Sequence, residues 1–222
     1  MDEVFEGTGL LRDPWAARDA YHGCCWTTRP RRGRPSSRRY AASHVGAGRR
    51  RDEVRAWKAL ELARSAVLMF TSCAWFFDDI ARIEPVQVLS YAARALQLAL
   101  EFDRNLEPAF LERLAAARSN VPEQKNAAAV YQARVKPLVV DLDRVVAHSA
   151  ILNLAVNHGT PRSVDTYDVA VESLSVDRSA GTTLSVGRLT VTSRRTTESE
   201  DVFFCCAHFG GHDFHCAVRG VV

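Results

Sequence analysis

Three places in this sequence gather side chains whose types and spacing could do chemistry. The first is Phe70–Glu84, FTSCAWFFDDIARIE, where Trp75 precedes the adjacent carboxylates Asp78 and Asp79. If the stretch continues a helix, Trp75 shares a face with Asp78 and Asp79, three and four residues on. An indole beside a carboxylate suits a sugar, whose apolar ring face stacks on the aromatic plate while its hydroxyls donate to the acid. A second reading stands beside it: Trp75, Phe76 and Phe77 pack into a core, and the two aspartates cap a following helix that begins near Pro85. The second place is the C-terminal set Cys205, Cys206, His208, His212, His215 and Cys216, soft and borderline metal ligands within twelve residues. Its spacing matches no familiar zinc module, and cysteine buried beside aromatics acts as a small hydrophobe, so no metal or other cofactor is expected. The third is a run of ten arginines and two acids between Arg29 and Arg55. Guanidinium groups pair with phosphate, yet the run has no recognisable nucleic-acid fold and only Trp26 and Tyr40 as stacking aromatics. It reads as a solvated linker, and nucleic acid is not the expected partner. There is no phosphate loop, because Gly210-Gly211 lacks the lysine and helix that would have to follow. His148 has no clear ligand partners.

The elements that must position these residues are helical first and extended later. Asp13 and Pro14 suit the start of a short helix. Gly23–Gly48, rich in Arg, Pro, Gly and Ser, shows no apolar period and predicts an irregular or disordered segment without a core. Asp52 then caps a helix with the stripe Trp57, Leu60, Ala63, Val67 and Phe70. A second begins near Pro85 with Val86, Leu89, Ala93, Leu96 and Leu100 on one face, and a third near Pro108 turns Leu111 and Leu114 inward. The longest stripe runs from Tyr131 through Val135, Leu138, Leu142, Val145, Ser149 and Leu152 to Val156, and Pro137 inside it must kink or split the helix. A bundle is the simplest way to bury four such stripes. After Asn157-His158-Gly159 the period falls to two. Tyr167, Val169 and Val171 alternate, as do Leu184 with Val186 and Leu189 with Val191. The runs Val202–Phe209 and Phe214–Val218 follow, with turn chemistry at Asp177–Gly181, Thr196–Asp201 and Gly210–His212. This predicts an antiparallel meander ending on an open apolar edge, as if the chain were unfinished.

The 47% hydrophobic and 25% charged content of the 222 residues is ordinary for a globular protein. The longest apolar window, Ala66–Phe77, is shorter than the roughly 20 residues of a bilayer span, so no membrane helix is expected. The acidic opening MDEVFEGTG does not suit an export signal. The expected compartment is the cytoplasm, with reduced thiols, since the adjacent pairs Cys24-Cys25 and Cys205-Cys206 do not suit a disulfide framework. The net charge of +3 comes from one segment, because 19 of the 29 basic and 24 of the 26 acidic residues lie outside Arg29–Arg55.

The stretch Ala66–Ala99, AVLMFTSCAWFFDDIARIEPVQVLSYAARALQLA, closely resembles a domain of unknown function, DUF3536, found after the catalytic part of α-amylase/α-mannosidase-like proteins of glycoside hydrolase family 57. Similar segments in family order are DPWAARDAY (Asp13–Tyr21), SNVPE (Ser119–Glu123), VKPLVVDLDRVVAHSAI (Val135–Ile151) and HFGGHDFHCAVR (His208–Arg219). The resemblance implies a parent protein whose catalytic barrel precedes this region. It would work by a retaining mechanism with a glutamate nucleophile and an aspartate acid–base about 5–5.5 Å apart. Both belong to the barrel, and no segment of this chain resembles it, so no catalytic residue is carried over and the chain alone is expected to be inert. The resemblance further implies that an aromatic and acidic motif of the helical region helps wall the sugar site, here Trp75, Asp78 and Asp79. Two departures stand out. Ala74 replaces the family's usual glycine, which matters if that position needs a positive φ. Tyr21–Arg51 differs from the family pattern although both its flanks match, as an insertion or a disrupted reading frame would make it.

The expectation is therefore an α+β chain in three parts. A short helix and irregular segment occupy 1–51, a helical bundle 52–158, and an incomplete antiparallel meander 159–222. Its expected role is an accessory region of a carbohydrate-active protein, with an α-glucan or related carbohydrate and the missing barrel, in cis or in trans, as partners. The alternative is a structural or protein-interaction module that binds no sugar.

Overall fold

The computed structural model describes residues 8–25, 37–46, 48–156, 163–179 and 181–220. The architecture is α+β, and the chain forms two compact units, 1–139 and 140–222.

The first unit is helical. Helix α1 (Pro14–Cys25) starts where expected, with the Ala16 N–H donating to Asp13 Oδ1 at 2.9 Å and Pro14 in the first turn. Helix α2 (Ser37–His44) lies within the segment predicted to be irregular and coreless, which is corrected for its described part. Tyr40 is 2% exposed, its hydroxyl donates to the Ala17 carbonyl at 2.5 Å, and Val45 is buried beyond it. A lone apolar residue among arginines gives no periodic signal, yet a tyrosine that satisfies its hydroxyl can anchor a helix by itself. Residues 26–36, with Trp26 and the first four arginines of the run, lie outside the described residues, as do Asn157, His158 and Gly159.

Helix α3 (Arg50–Leu68) is preceded by Arg49, whose N–H donates to Asp52 Oδ2 at 2.9 Å. Asp52 therefore supports the start from the third helical position rather than from the cap itself. Of its predicted stripe, Trp57, Leu60 and Ala63 are buried, while Val67 and Phe70 emerge into solvent. By length and composition Arg50–Phe76 would pass for a membrane span. In the fold its first part is the middle of a core, with Trp57 packed on Tyr40 (5.1 Å between centroids) and Tyr21 (5.9 Å).

A single turn, α4 (Cys73–Phe76), leads to helix α5 (Ile83–Leu100). Helix α5 is buried on two sides, because Ala95, Leu98 and Ala99 join the Tyr40–Trp57 core while Leu89 and Ala93 join a second one. Small alanines on both faces permit that close approach on either side. The second core takes Phe110, Leu111 and Leu114 from helix α6 (Glu107–Ala115) and Val130, Tyr131 and Val135 from the segment that follows. That segment is one α turn, α7 (Ala127–Val130), widening to a π turn at Tyr131–Val135 and tightening to a 3-10 turn at Lys136–Leu138. Pro137 thus splits the long predicted helix, as its missing N–H requires.

The split redistributes the stripe. Helix α8 (Leu142–Val156), expected in the bundle, belongs to the second unit, so the division falls after Val139 and not after His158. There Val145, Val146, Ala150 and Leu154 pack on the sheet against Val169, Leu189, Val191, Val202 and Phe204. The sheet is a five-stranded antiparallel meander in sequence order: β1 (Ser163–Val164), β2 (Tyr167–Ser179), β3 (Thr182–Ser193), β4 (Ser199–His208) and β5 (Phe214–Gly220). Its turns fall where Gly, Asp and Thr cluster; Gly210 and Gly211 adopt φ +106° and +55° between β4 and β5. A shift in register between Val171 and Ser173 marks a bulge in β2. Opposite that bulge Gly187 is required by space, since an added Cβ would stand 2.5 Å from the Ser173 carbonyl oxygen and 2.8 Å from Phe204 Cε1.

Candidate functional site

The motif Phe70–Glu84 is the connection between α3 and α5. The last turns of α3 tighten, with Phe70 and Thr71 N–H donating to the carbonyls of Val67 and Leu68, and α4 adds one more turn. Phe77 is extended, with φ −99° and ψ 162°, so the helix ends before either aspartate. The expected helical face joining Trp75 to Asp78 and Asp79 is therefore corrected, because the three side chains belong to a turn and a loop. Ala74 lies inside α4, outside the positive-φ residues, so the departure from glycine carries no backbone strain.

The aromatics do not form the core that the second reading required. Trp75 is 64% exposed, Phe76 79%, and Phe70 and Ile83 are exposed beside them. Phe77 is less so, meeting Phe76 edge-on at 5.2 Å and receiving the Arg82 guanidinium over its face at 5.3 Å.

The two aspartates separate. Asp79 accepts from Ala81 N–H at 2.7 Å on one oxygen, and from the Ser119 hydroxyl at 2.8 Å and Asn120 N–H at 2.5 Å on the other. The Ala81 N–H first, and then the Ser119 hydroxyl, hold its carboxyl below the usual carboxylate range against a smaller opposing effect of burial. The Asn120 side-chain amide donates to the Asp78 carbonyl, and Arg134 donates to the Ala81 carbonyl at 2.6 Å. The receiving loop is itself closed, by the bridge Arg118↔Asn126 and by Ser119 N–H to the Lys125 carbonyl at 3.1 Å. Segments far apart in sequence thus clamp residues 78–81. Asp78 turns outward, 82% exposed, with a loose ion pair to Arg82 at 3.5 Å. Neither aspartate caps α5, which is preceded by Arg82 with no side-chain cap.

The local arrangement is a solvent-facing aromatic plate and an exposed carboxylate, loosely paired with Arg82, on a loop fixed at its base. Reading residue types found Trp75, Asp78 and Asp79 but missed Ser119, Asn120 and Arg134. The only signal for the first two was that SNVPE belongs to the same family pattern.

The other clusters resolve differently. Among the described residues no group of three or more His, Cys, Asp or Glu is placed to hold a metal. His208 stacks on Phe214 at 4.3 Å, His215 faces Asp213 at 3.2 Å, and Cys206 is buried in the core of the second unit. In the arginine run, Tyr40 is buried and unavailable to a base, and Arg55 lies over the Phe102 ring at 5.5 Å. His148 is exposed on α8.

The chain matches, over residues 2–222, the family described as a domain of unknown function, DUF3536, and belongs to it. No curated protein and no solved structure matches it.

Proposed function

We propose that this chain is an accessory region of a glycoside hydrolase family 57-like protein and completes a carbohydrate-binding wall, binding sugar without cleaving it. Trp75 is the stacking plate, Asp78 accepts sugar hydroxyls, and Asp79 holds the loop that presents both. The catalytic barrel is supplied in cis or in trans, and the ligand is an α-glucan or a related carbohydrate.

The observation that carries the reading is the 64% exposure of Trp75 beside a loop whose base is pinned by Asp79, Asn120 and Arg134. Exposing an indole forgoes its burial energy, and fixing the adjoining loop lowers the ordering cost of binding. Isothermal titration of soluble α-glucans tests it, on this chain and on a barrel-containing relative. Trp75→Ala should weaken binding roughly tenfold, ~1.4 kcal/mol, with unchanged helical circular dichroism. Unchanged affinity in both proteins removes the sugar role.

The exposed Phe70, Phe76 and Ile83 favour a second reading, in which the same surface contacts another protein. Under that reading Phe76→Ser abolishes co-elution with the barrel-containing fragment, while glucan leaves elution unaltered.

A further inference from the structure

Cys206 and Cys216 are directly opposed on neighbouring antiparallel strands, β4 and β5. Both are free thiols, Cys206 buried and Cys216 half-buried. Directly opposed residues carry Cβ atoms roughly 4.5–5.5 Å apart, and a disulfide needs about 3.5–4.5 Å, so a small approach of the strands joins them. Among the described residues strand β5 pairs with β4 alone, at the rim of the sheet, where such an approach meets least resistance. Cys205 points to the opposite side of β4, is exposed, and faces Ala217, so it has no cross-strand thiol partner.

We propose that Cys206 and Cys216 are a redox-active dithiol that closes to a disulfide by exchange with a small-molecule disulfide such as oxidised glutathione. The more accessible Cys216, as thiolate, attacks one glutathione sulfur, forming a mixed disulfide and expelling one glutathione thiolate. The Cys206 thiolate then attacks the Cys216 sulfur, forming the protein disulfide and expelling the second glutathione thiolate. The two protons lost by the protein thiols end on the two glutathiones, so one disulfide is reduced as one forms. Burial pushes the Cys216 thiol up to about 12, so exchange is slow at neutral pH and follows local opening of β5. The product ties β5 to β4.

The test equilibrates the full chain in glutathione buffers of increasing oxidation, quenches in acid, unfolds, alkylates and maps the peptides. The expected result is the loss of two alkylated thiols in the oxidised buffers, a linked Cys206–Cys216 peptide pair, and full recovery on return to reduced glutathione. Cys205→Ser keeps the link, and Cys216→Ser loses it. The proposal is overturned if wild-type protein keeps both thiols alkylatable throughout, or if it carries glutathione only as an adduct on Cys205 or Cys73. Because the wild-type map decides alone, a variant that fails to fold leaves the result intact.

Discussion

Asp78 and Asp79 are adjacent carboxylates that their surroundings put to different uses. Asp79 spends both oxygens on the backbone and on Ser119, so removing it leaves the Ala81 and Asn120 N–H groups without their acceptor. Asp79→Ala should therefore speed amide hydrogen exchange at Ala81 and Asn120 and open residues 77–82 to protease. Asp78→Ala should change neither, and should weaken glucan binding alone. Acid offers a second handle. Asp79 is depressed below its ordinary value of 3.8, so its contribution is fully present above that pH and is lost as pH falls through the lower folded value. Glu107 behaves alike from an ordinary value of 4.5. The Lys136 ammonium is the main cause of its depression, and the Tyr131 hydroxyl donates to it as well. Protection at Ala81, the exchange rate relative to that of an unstructured amide at the same pH, should thus be unchanged by acid down to pH 3.8 and fall below it. Loss of protection near neutrality would contradict the clamp.

At the scale of elements, two placements rest on single residues. Helix α2 is held by Tyr40, and Tyr40→Ala should destabilise the first unit by about 3–5 kcal/mol, the cost usual for a large buried aromatic. Tyr40→Phe should cost only about 0.5–1.5 kcal/mol, the hydrogen bond to Ala17. The bulge in β2 approaches β3 at Gly187, where no side chain fits between Ser173 and Phe204. Gly187→Ala should cost about 1–3 kcal/mol through overpacking. Thermal melts of the purified variants check all three, and a neutral Gly187→Ala would mean that the bulge relaxes freely.

For the molecule as a whole, each unit carries its own buried apolar clusters, two among the helices of 1–139 and one between the sheet and α8 in 140–222. A fragment 140–222 should then retain strand and helix signals by circular dichroism and melt cooperatively, whereas a fragment 159–222, lacking α8, should not. The sequence alone made strands β2–β5 and their antiparallel order legible, since alternation with period two and turns at Gly, Asp and Thr are local properties, whereas the two residues of β1 are too few to alternate. It likewise determined the break at Pro137, because the missing N–H acts wherever the residue falls. Residue type alone singled out Trp75, Asp78 and Asp79, but left open whether they face a sugar or form a core and a cap. Partnership was settled by the fold. An amphipathic stripe records that a face is buried but not against what, so α8, read as a bundle helix, instead covers the sheet. A carboxylate is likewise neutral about its use until its neighbours are known. Ser119 and Asn120 lie some forty residues from Asp79 and, by filling its acceptors, fixed it as the holder of the loop, while Asp78 kept its charge in solvent.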